Sequence, residues 1–165
     1  GIKVLKLEGR GRAPEYVAMV TKTYREAIDA YYEGTFTPEK ITGWMEDLST
    51  VYNRGFWSGY YLGQKLGEWS ANPGSNATQK KVYVGKGVHF FPKASIAEFK
   101  IEAYDIKLGD KIMITGPSTG VQELVIEEMM VNDLKLEKAS KGDSCTLKLP
   151  FRVRNSDKLY KIVEQ

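Results

Sequence analysis

The chain opens with Ile2-Lys3-Val4-Leu5-Lys6-Leu7, a run rich in strand formers. The charged glycine turn Glu8-Gly9-Arg10-Gly11-Arg12 and the helix start Ala13-Pro14-Glu15 come next. Proline pre-sets φ at the first helical position, and a glutamate there faces the positive end of the helix dipole. Strand character does not return until near Lys81. Residues 2–7 therefore have no sequence neighbour to pair with, and an unpaired strand leaves its backbone donors and acceptors unmatched. A strand that feeds a helix without a partner is expected as the last piece of a parallel α/β barrel whose earlier strands are absent. On this reading the chain is the tail of a larger protein, and the rest of that protein is its first partner.

Two amphipathic helices are expected next. Val17, Val20, Tyr24, Ala27/Ile28 and Tyr31 recur at three- and four-residue steps, which places them on one face of a helix running from Pro14 to Glu33. Gly34 stands where a left-handed residue ends such a helix. Thr37-Pro38-Glu39-Lys40 supplies an N-cap and a proline for a second helix fading around Tyr52, with Ile41, Trp44, Met45 and Leu48 on its apolar side. The aromatic, glycine-rich stretch 53–63 has no clean period. Trp69-Ser70-Ala71-Asn72-Pro73-Gly74-Ser75-Asn76 then has linker composition, so the expected domains are 1–66, a linker 67–80, and 81–165.

From Lys81 the rhythm changes to short strands, at about 82–90, 96–103, 111–115, 121–131, 144–149 and 158–163. Gly/Asp/Asn turns separate them at 108–110, 116–120, 132–133, 141–143 and 155–157. Six short strands at near-regular spacing predict a small six-stranded antiparallel β-barrel, whose closure hides sheet edges. The fold class expected for the whole is α+β: a strand and two helices left from a parallel α/β barrel, then the β-barrel.

Charge excludes little. Net charge is +3; residues 1–80 carry 10 Lys+Arg against 9 Asp+Glu, and residues 81–165 carry 14 against 12. Neither half has the one-sided excess of a strong phosphate binder. No apolar run approaches the roughly 20 residues a membrane helix needs, so no membrane partner is expected. The single cysteine, Cys145, rules out an internal disulfide and suits a cytoplasmic setting.

Among chemistry-bearing groups, the turn after the first strand stands out. Strand alternation would aim Lys6 and Glu8 into a barrel near its C-terminal rim, beside Arg10 and Arg12, where such folds place their chemistry. Charges there are expensive unless used or paired. They either serve a site of the parent barrel or form a structural Lys6–Glu8 or Glu8–Arg10 pair. A Cys145–His89 dyad would have to join two different strands, and one His with one Cys cannot close a zinc site. Gly116-Pro117-Ser118-Thr119-Gly120 lacks the Lys-Ser/Thr and the helix of a phosphate loop and reads as a hairpin turn. The aromatic density of 52–62 suits either base stacking or packing. No catalytic residue is assigned within the chain.

Leu5-Lys6-Leu7-Glu8-Gly9-Arg10, Pro14-Glu15-Tyr16-Val17-Ala18, Tyr24-Arg25-Glu26-Ala27-Ile28-Asp29-Ala30-Tyr31 and Asn53-Arg54-Gly55-Phe56 resemble, in order and separation, the end of the catalytic barrel in peptidase family U32. Val84-Gly85-Lys86-Gly87-Val88-His89-Phe90-Phe91-Pro92-Lys93, Leu108-Gly109-Asp110-Lys111-Ile112, Ile114 to Gly120 and Lys158-Leu159-Tyr160-Lys161-Ile162 resemble that family's C-terminal β-barrel, itself similar to domain 2 of elongation factor Tu. The family includes collagenase-like proteases and enzymes needed to hydroxylate bases in transfer or ribosomal RNA, with cysteine-bound iron–sulfur clusters in the barrel. The resemblance implies a parent enzyme and an accessory role for this portion. The cysteine-rich signature is absent from this chain, and Cys145 sits in the other module, so no cofactor is expected here and any cluster belongs to the missing barrel. The β-barrel is expected to present tRNA or rRNA weakly, through phosphate contacts from Lys86, Lys93, Arg152 and Arg154. The alternatives are part of a true protease and a protein-interaction module without substrate contact.

Overall fold

A computed structural model describes residues 3–57, 59, 60, 63 and 74–165. The expected linker core at 67–73 lies outside the described residues. The chain divides into two compact units, residues 1–79 together with Gln165, and residues 80–164.

The first unit holds two helices, α1 (Pro14–Tyr32) and α2 (Pro38–Ser49). Both begin with proline in the first turn, followed by a glutamate. Ala13 offers α1 no side-chain cap, whereas the Thr37 hydroxyl caps α2 by accepting from the Lys40 N–H at 3.4 Å. α1 stops as its sequence dictates. Gly34 adopts φ +71°, its N–H donates to the Tyr31 carbonyl, and the Thr35 N–H reaches back to Ala30 at 2.8 Å. These paired bonds satisfy carbonyls that the helix end would otherwise leave open. Trp44 ties the helices together, its indole N–H donating to Glu26 at 3.2 Å and its ring lying 5.5 Å from that of Phe36.

One expectation for this unit is corrected, and one helix face is left bare. Residues 3–8 form no strand, and their side chains are largely exposed. Strand-forming residues become a strand only when a neighbour supplies a ladder, and no described segment does. The apolar stripe of α1 is also mostly uncovered: Val17 and Tyr24 are 43% exposed and Tyr31 is 71% exposed, while Thr23 and Ala30 are buried. α2 packs against only part of α1, and no described element covers the rest.

The second unit is an antiparallel β structure. Its strands are β1 (Gln79–Phe91), β2 (Ile96–Ile101), β3 (Ile106–Lys107), β4 (Lys111–Gly116), β5 (Gly120–Val125), β6 (Met129–Val131), β7 (Leu134–Lys135), β8 (Lys138–Ala139), β9 (Ser144–Lys148) and β10 (Lys158–Glu164). Eight of them form one sheet in the order β5-β4-β10-β1-β2-β9-β6-β7, and β3 pairs with β8 in a separate ribbon. The α+β class holds. The count and closure differ from a closed six-stranded barrel, because the ladder ends at β5 and β7 without a pairing between them. The single strand expected over 121–131 breaks at 126–128. There Ile126 leaves the ladder, donating its N–H to Asp110 and accepting from Gly109.

The core is gathered on one face of the sheet. Val84, Phe99, Ile101, Ile112, Ile114 and Leu159 are 0–1% exposed and cluster with Ile106, Val131, Leu147 and Leu149. Alternation accounts for the β2 contribution, where Ala97, Phe99 and Ile101 point inward. The β6–β7 turn is made by Asn132 (φ 49°) and Asp133 (φ 65°), the residue types that tolerate this conformation in a two-residue hairpin.

Candidate nucleic-acid interface

In the first unit the four charged residues expected at a barrel rim separate into a group of three, Lys6, Glu8 and Arg10, and Arg12 apart from them. Lys6 Nζ lies 4.0 Å from Glu8 Oε2 with both side chains mostly in solvent, and the Glu8 carboxylate accepts from the Arg10 N–H at 2.8 Å. An ion pair so exposed contributes little to stability. Arg12 is placed differently. Gly11, at φ +73°, completes a turn in which the Arg12 N–H donates to the Gly9 carbonyl at 2.9 Å. The Arg12 guanidinium then lies 3.8 Å from the centre of the Tyr52 ring and 5.8 Å from that of Tyr16.

Tyr52 is held from the other side. The Asn53 amide donates to the carbonyls of Ser49 and Val51, and its oxygen accepts from the Gly55 N–H, folding the chain just past α2 into a tight turn. Gly55, at φ +93°, permits that turn. Arg54 Nε consequently donates to the Tyr52 hydroxyl at 2.8 Å. Hydrogen bonds from Arg12 and then Arg54 hold the Tyr52 phenol below its ordinary pKa. A cavity of about 350 Å³ opens here, with walls that include Arg12, Tyr16, Tyr24, Tyr52, Arg54 and Phe56. Reading the sequence singled out Arg12 for another reason, weighed Tyr52 only as part of the 52–62 aromatic run, and gave Arg54 no site role. The usable signal was the aromatic run beside Asn53-Arg54-Gly55.

In the second unit the long β1–β2 hairpin bulges between Gly87 and His89. At that point the Gly87 N–H donates to the Asp157 carbonyl at 2.8 Å, and the Gly87 carbonyl accepts from Ser156 at 2.9 Å. The approach is close: a Cβ on Gly87 would stand 2.7 Å from the Arg154 carbonyl oxygen. The other end of this loop is pinned by the Leu149 N–H donating to Ser95 at 2.8 Å. Between the two anchors Val153 is 2% exposed while Arg152 and Arg154 are exposed on either side of it. The buried carboxylate of Asp157 accepts from the Arg154 N–H at 2.8 Å and from the Thr119 hydroxyl at 2.5 Å, which fixes the loop's exit.

Lys93 is exposed on the β1–β2 turn. Val88 and Phe91 are 41% and 45% exposed on the same hairpin, and the His89 and Phe91 rings meet edge to face at 4.4 Å. Three of the four expected phosphate contacts, Lys93, Arg152 and Arg154, thus lie on the hairpin and on the loop bound to it. No ion pair engages them among the described residues. Lys86 differs: its ammonium pairs with Glu102 at 2.9 Å. Glu102 also accepts from the Tyr83 hydroxyl at 2.6 Å, which pushes that phenol up to about 12, while Tyr83 and Lys86 together hold the carboxyl low.

Cys145 is fully buried and faces the core, and burial pushes its thiol up to about 12. His89 is exposed, so the two are not placed as a nucleophile and base. Native protein should accordingly react with a charged disulfide reagent only at the rate at which it unfolds, with one thiol released in denaturant. Stoichiometric labelling of the folded chain within seconds would contradict the burial. An iron–sulfur cluster also does not fit these residues. Such clusters are held by several cysteine thiolates, and this chain has one cysteine, inside the β core. Among the described residues no helix is long and apolar enough to cross a membrane.

A two-helix unit followed by an antiparallel β unit defines the class: an α+β segment in two compact parts. Residues 1–71 match the model of peptidase family U32. A protein named collagenase from Porphyromonas gingivalis is 51% identical over 161 residues, which is 98% of this chain and 39% of that protein. An uncharacterized protease of Methanocaldococcus jannaschii is 36% identical over 96% of this chain and 39% of its own length. The tRNA hydroxylation protein P of Helicobacter pylori is 39% identical over 61 residues, 37% of this chain and 14% of that protein. The chain thus spans about two fifths of the length of the first two relatives.

Proposed function

We propose that this segment is an accessory module of a U32 protein that modifies RNA, and that its β unit presents an RNA strand. The observation that carries the reading is the clasp of Gly87 onto Ser156 and Asp157, which holds Arg152 and Arg154 outward beside the hairpin bearing His89, Phe91 and Lys93. Basic groups beside exposed rings suit a single strand, in which phosphates meet cations and unstacked bases meet aromatic faces. The relative named for tRNA hydroxylation supports the RNA side of the reading. Affinity of this kind is mostly electrostatic and independent of sequence.

The test is tRNA binding by fluorescence anisotropy across a salt series. Wild-type chain should bind at low salt and weaken steeply as salt rises. Arg152→Ala with Arg154→Ala should weaken binding uniformly across RNA sequences and reduce the salt slope by about 2. No binding at low salt, or an unchanged slope in the double variant, would sink the reading.

A second reading is favoured by one specific observation, the collagenase-named relative that matches nearly the whole chain. In it the β unit holds a polypeptide for a protease whose nucleophile lies elsewhere. Retention of denatured collagen by the chain, lost in the same double variant and unaffected by RNA competitor, would favour that alternative.

A further inference from the structure

We propose that the Arg12–Tyr52–Arg54 cavity is a nucleotide site, in which the two guanidiniums take the phosphate and the aromatic walls take the base. It is independent of the loop that carries Arg152 and Arg154, and either assignment can fail without the other.

Three features of the cavity point the same way. The first is charge. Two guanidiniums meet on one phenol, Arg12 over its face and Arg54 at its hydroxyl, and no carboxylate lines the cavity. Like charges brought together around a neutral group repel, and an oxyanion placed between them relieves that repulsion. The second is donor geometry. Arg12 lies over the Tyr52 ring and also hydrogen-bonds its phenol, and Arg54 spends Nε on the same hydroxyl, so each guanidinium, with five N–H donors, keeps further donors of the kind that match phosphate oxygens. The third is the wall. Tyr24 is 43% and Phe56 51% exposed at this cavity, beside Tyr16. Rings left open next to an anion site suit a planar partner, because every base has a face to stack. A volume of about 350 Å³ is at the small end for ligand pockets and suits one nucleotide rather than a folded domain.

A purely structural role, in which Arg12 and Arg54 only clamp the N-terminal turn against the end of α2, predicts that no nucleotide perturbs these groups.

The experiment is a titration of the full, isotope-labelled chain followed by nuclear magnetic resonance, using uridine monophosphate, inorganic phosphate and uridine as separate probes. With uridine monophosphate, the Arg54 Nε–H and the Asn53 and Gly55 amides should shift and saturate. Phosphate alone and uridine alone should each bind about tenfold more weakly or worse. Signals that stay fixed up to about 10 mM nucleotide, or that respond equally to phosphate alone, overturn the assignment. Arg54→Gln should weaken nucleotide binding about tenfold or more. Should that variant fail to fold, Tyr24→Ala removes an exposed ring and should weaken uridine monophosphate while sparing phosphate. An unchanged ratio between the two probes counts against the base wall. A short oligouridylate run in parallel identifies the source: tighter binding than the mononucleotide indicates a strand phosphate, and weaker binding a free nucleotide.

Discussion

Gly85→Ala should unfold the β unit under conditions where the native chain is fully folded. A methyl group built on Gly85 stands 1.9 Å from the Lys100 carbonyl oxygen, 2.9 Å from its carbon and 3.2 Å from Ile101 Cα. All three atoms belong to the backbone of β2, directly across the ladder from Gly85, so no side chain can turn aside to make room. The neighbouring Val84 carbonyl accepts from both Glu102 and Ala103, which ties the two strands together at that point. Relief requires β1 and β2 to part in the middle of the sheet, beside the buried Phe99 and Ile101. Overpacking of a flexible core costs about 1–3 kcal/mol, and a clash against paired backbone should reach at least the upper end of that range. A urea titration followed by circular dichroism measures it. A midpoint matching wild type would show that the strands do not approach as described.

Asp157→Ala is the second large effect. This side chain is 2% exposed and accepts from the Arg154 N–H and the Thr119 hydroxyl, so truncation strands two donors in a dry place. Gly116 shows how tightly the carboxylate is held, since a Cβ there would lie 1.8 Å from Asp157 Oδ1. Losing two bonds to a buried acceptor should cost about 2–4 kcal/mol. The same change frees the exit of the Arg152–Arg154 loop. RNA affinity should therefore fall even at temperatures where the variant remains folded. Thermal melting and the anisotropy assay separate the two consequences, and a variant with native melting and native affinity would remove Asp157 from the account.

Local chemistry made much of this fold legible. Gly34 ended α1, Thr37 and Pro38 began α2, and Asn132-Asp133 turned the β6–β7 hairpin, because each acts through its own backbone or its nearest neighbours. Features decided by distant partners were not legible. Ile2–Leu7 has strand composition, yet residues 3–8 pair with nothing described. The 121–131 run reads as one strand by composition, and the bonds of Ile126 to Gly109 and Asp110 divide it into β5 and β6. The site followed the same rule. Residue type nominated Lys86, Lys93, Arg152 and Arg154 alike, and could not reveal that Lys86 is already paired with Glu102. Arg12 meets Tyr52 across 40 positions, and the aromatic run beside Arg54 marks one end of that contact without naming the other.

The sheet order places β10 between β4 and β1, inside the sheet rather than at its margin. During translation, then, the ladder stays split into a two-strand and a five-strand piece until residues 158–164 have cleared the ribosome. Val84 and Ile114 wait uncovered on either side of the gap. A nascent β unit of this design is committed late and all at once, and a nick or frameshift near its end should release an aggregating, divided sheet rather than a slightly trimmed module.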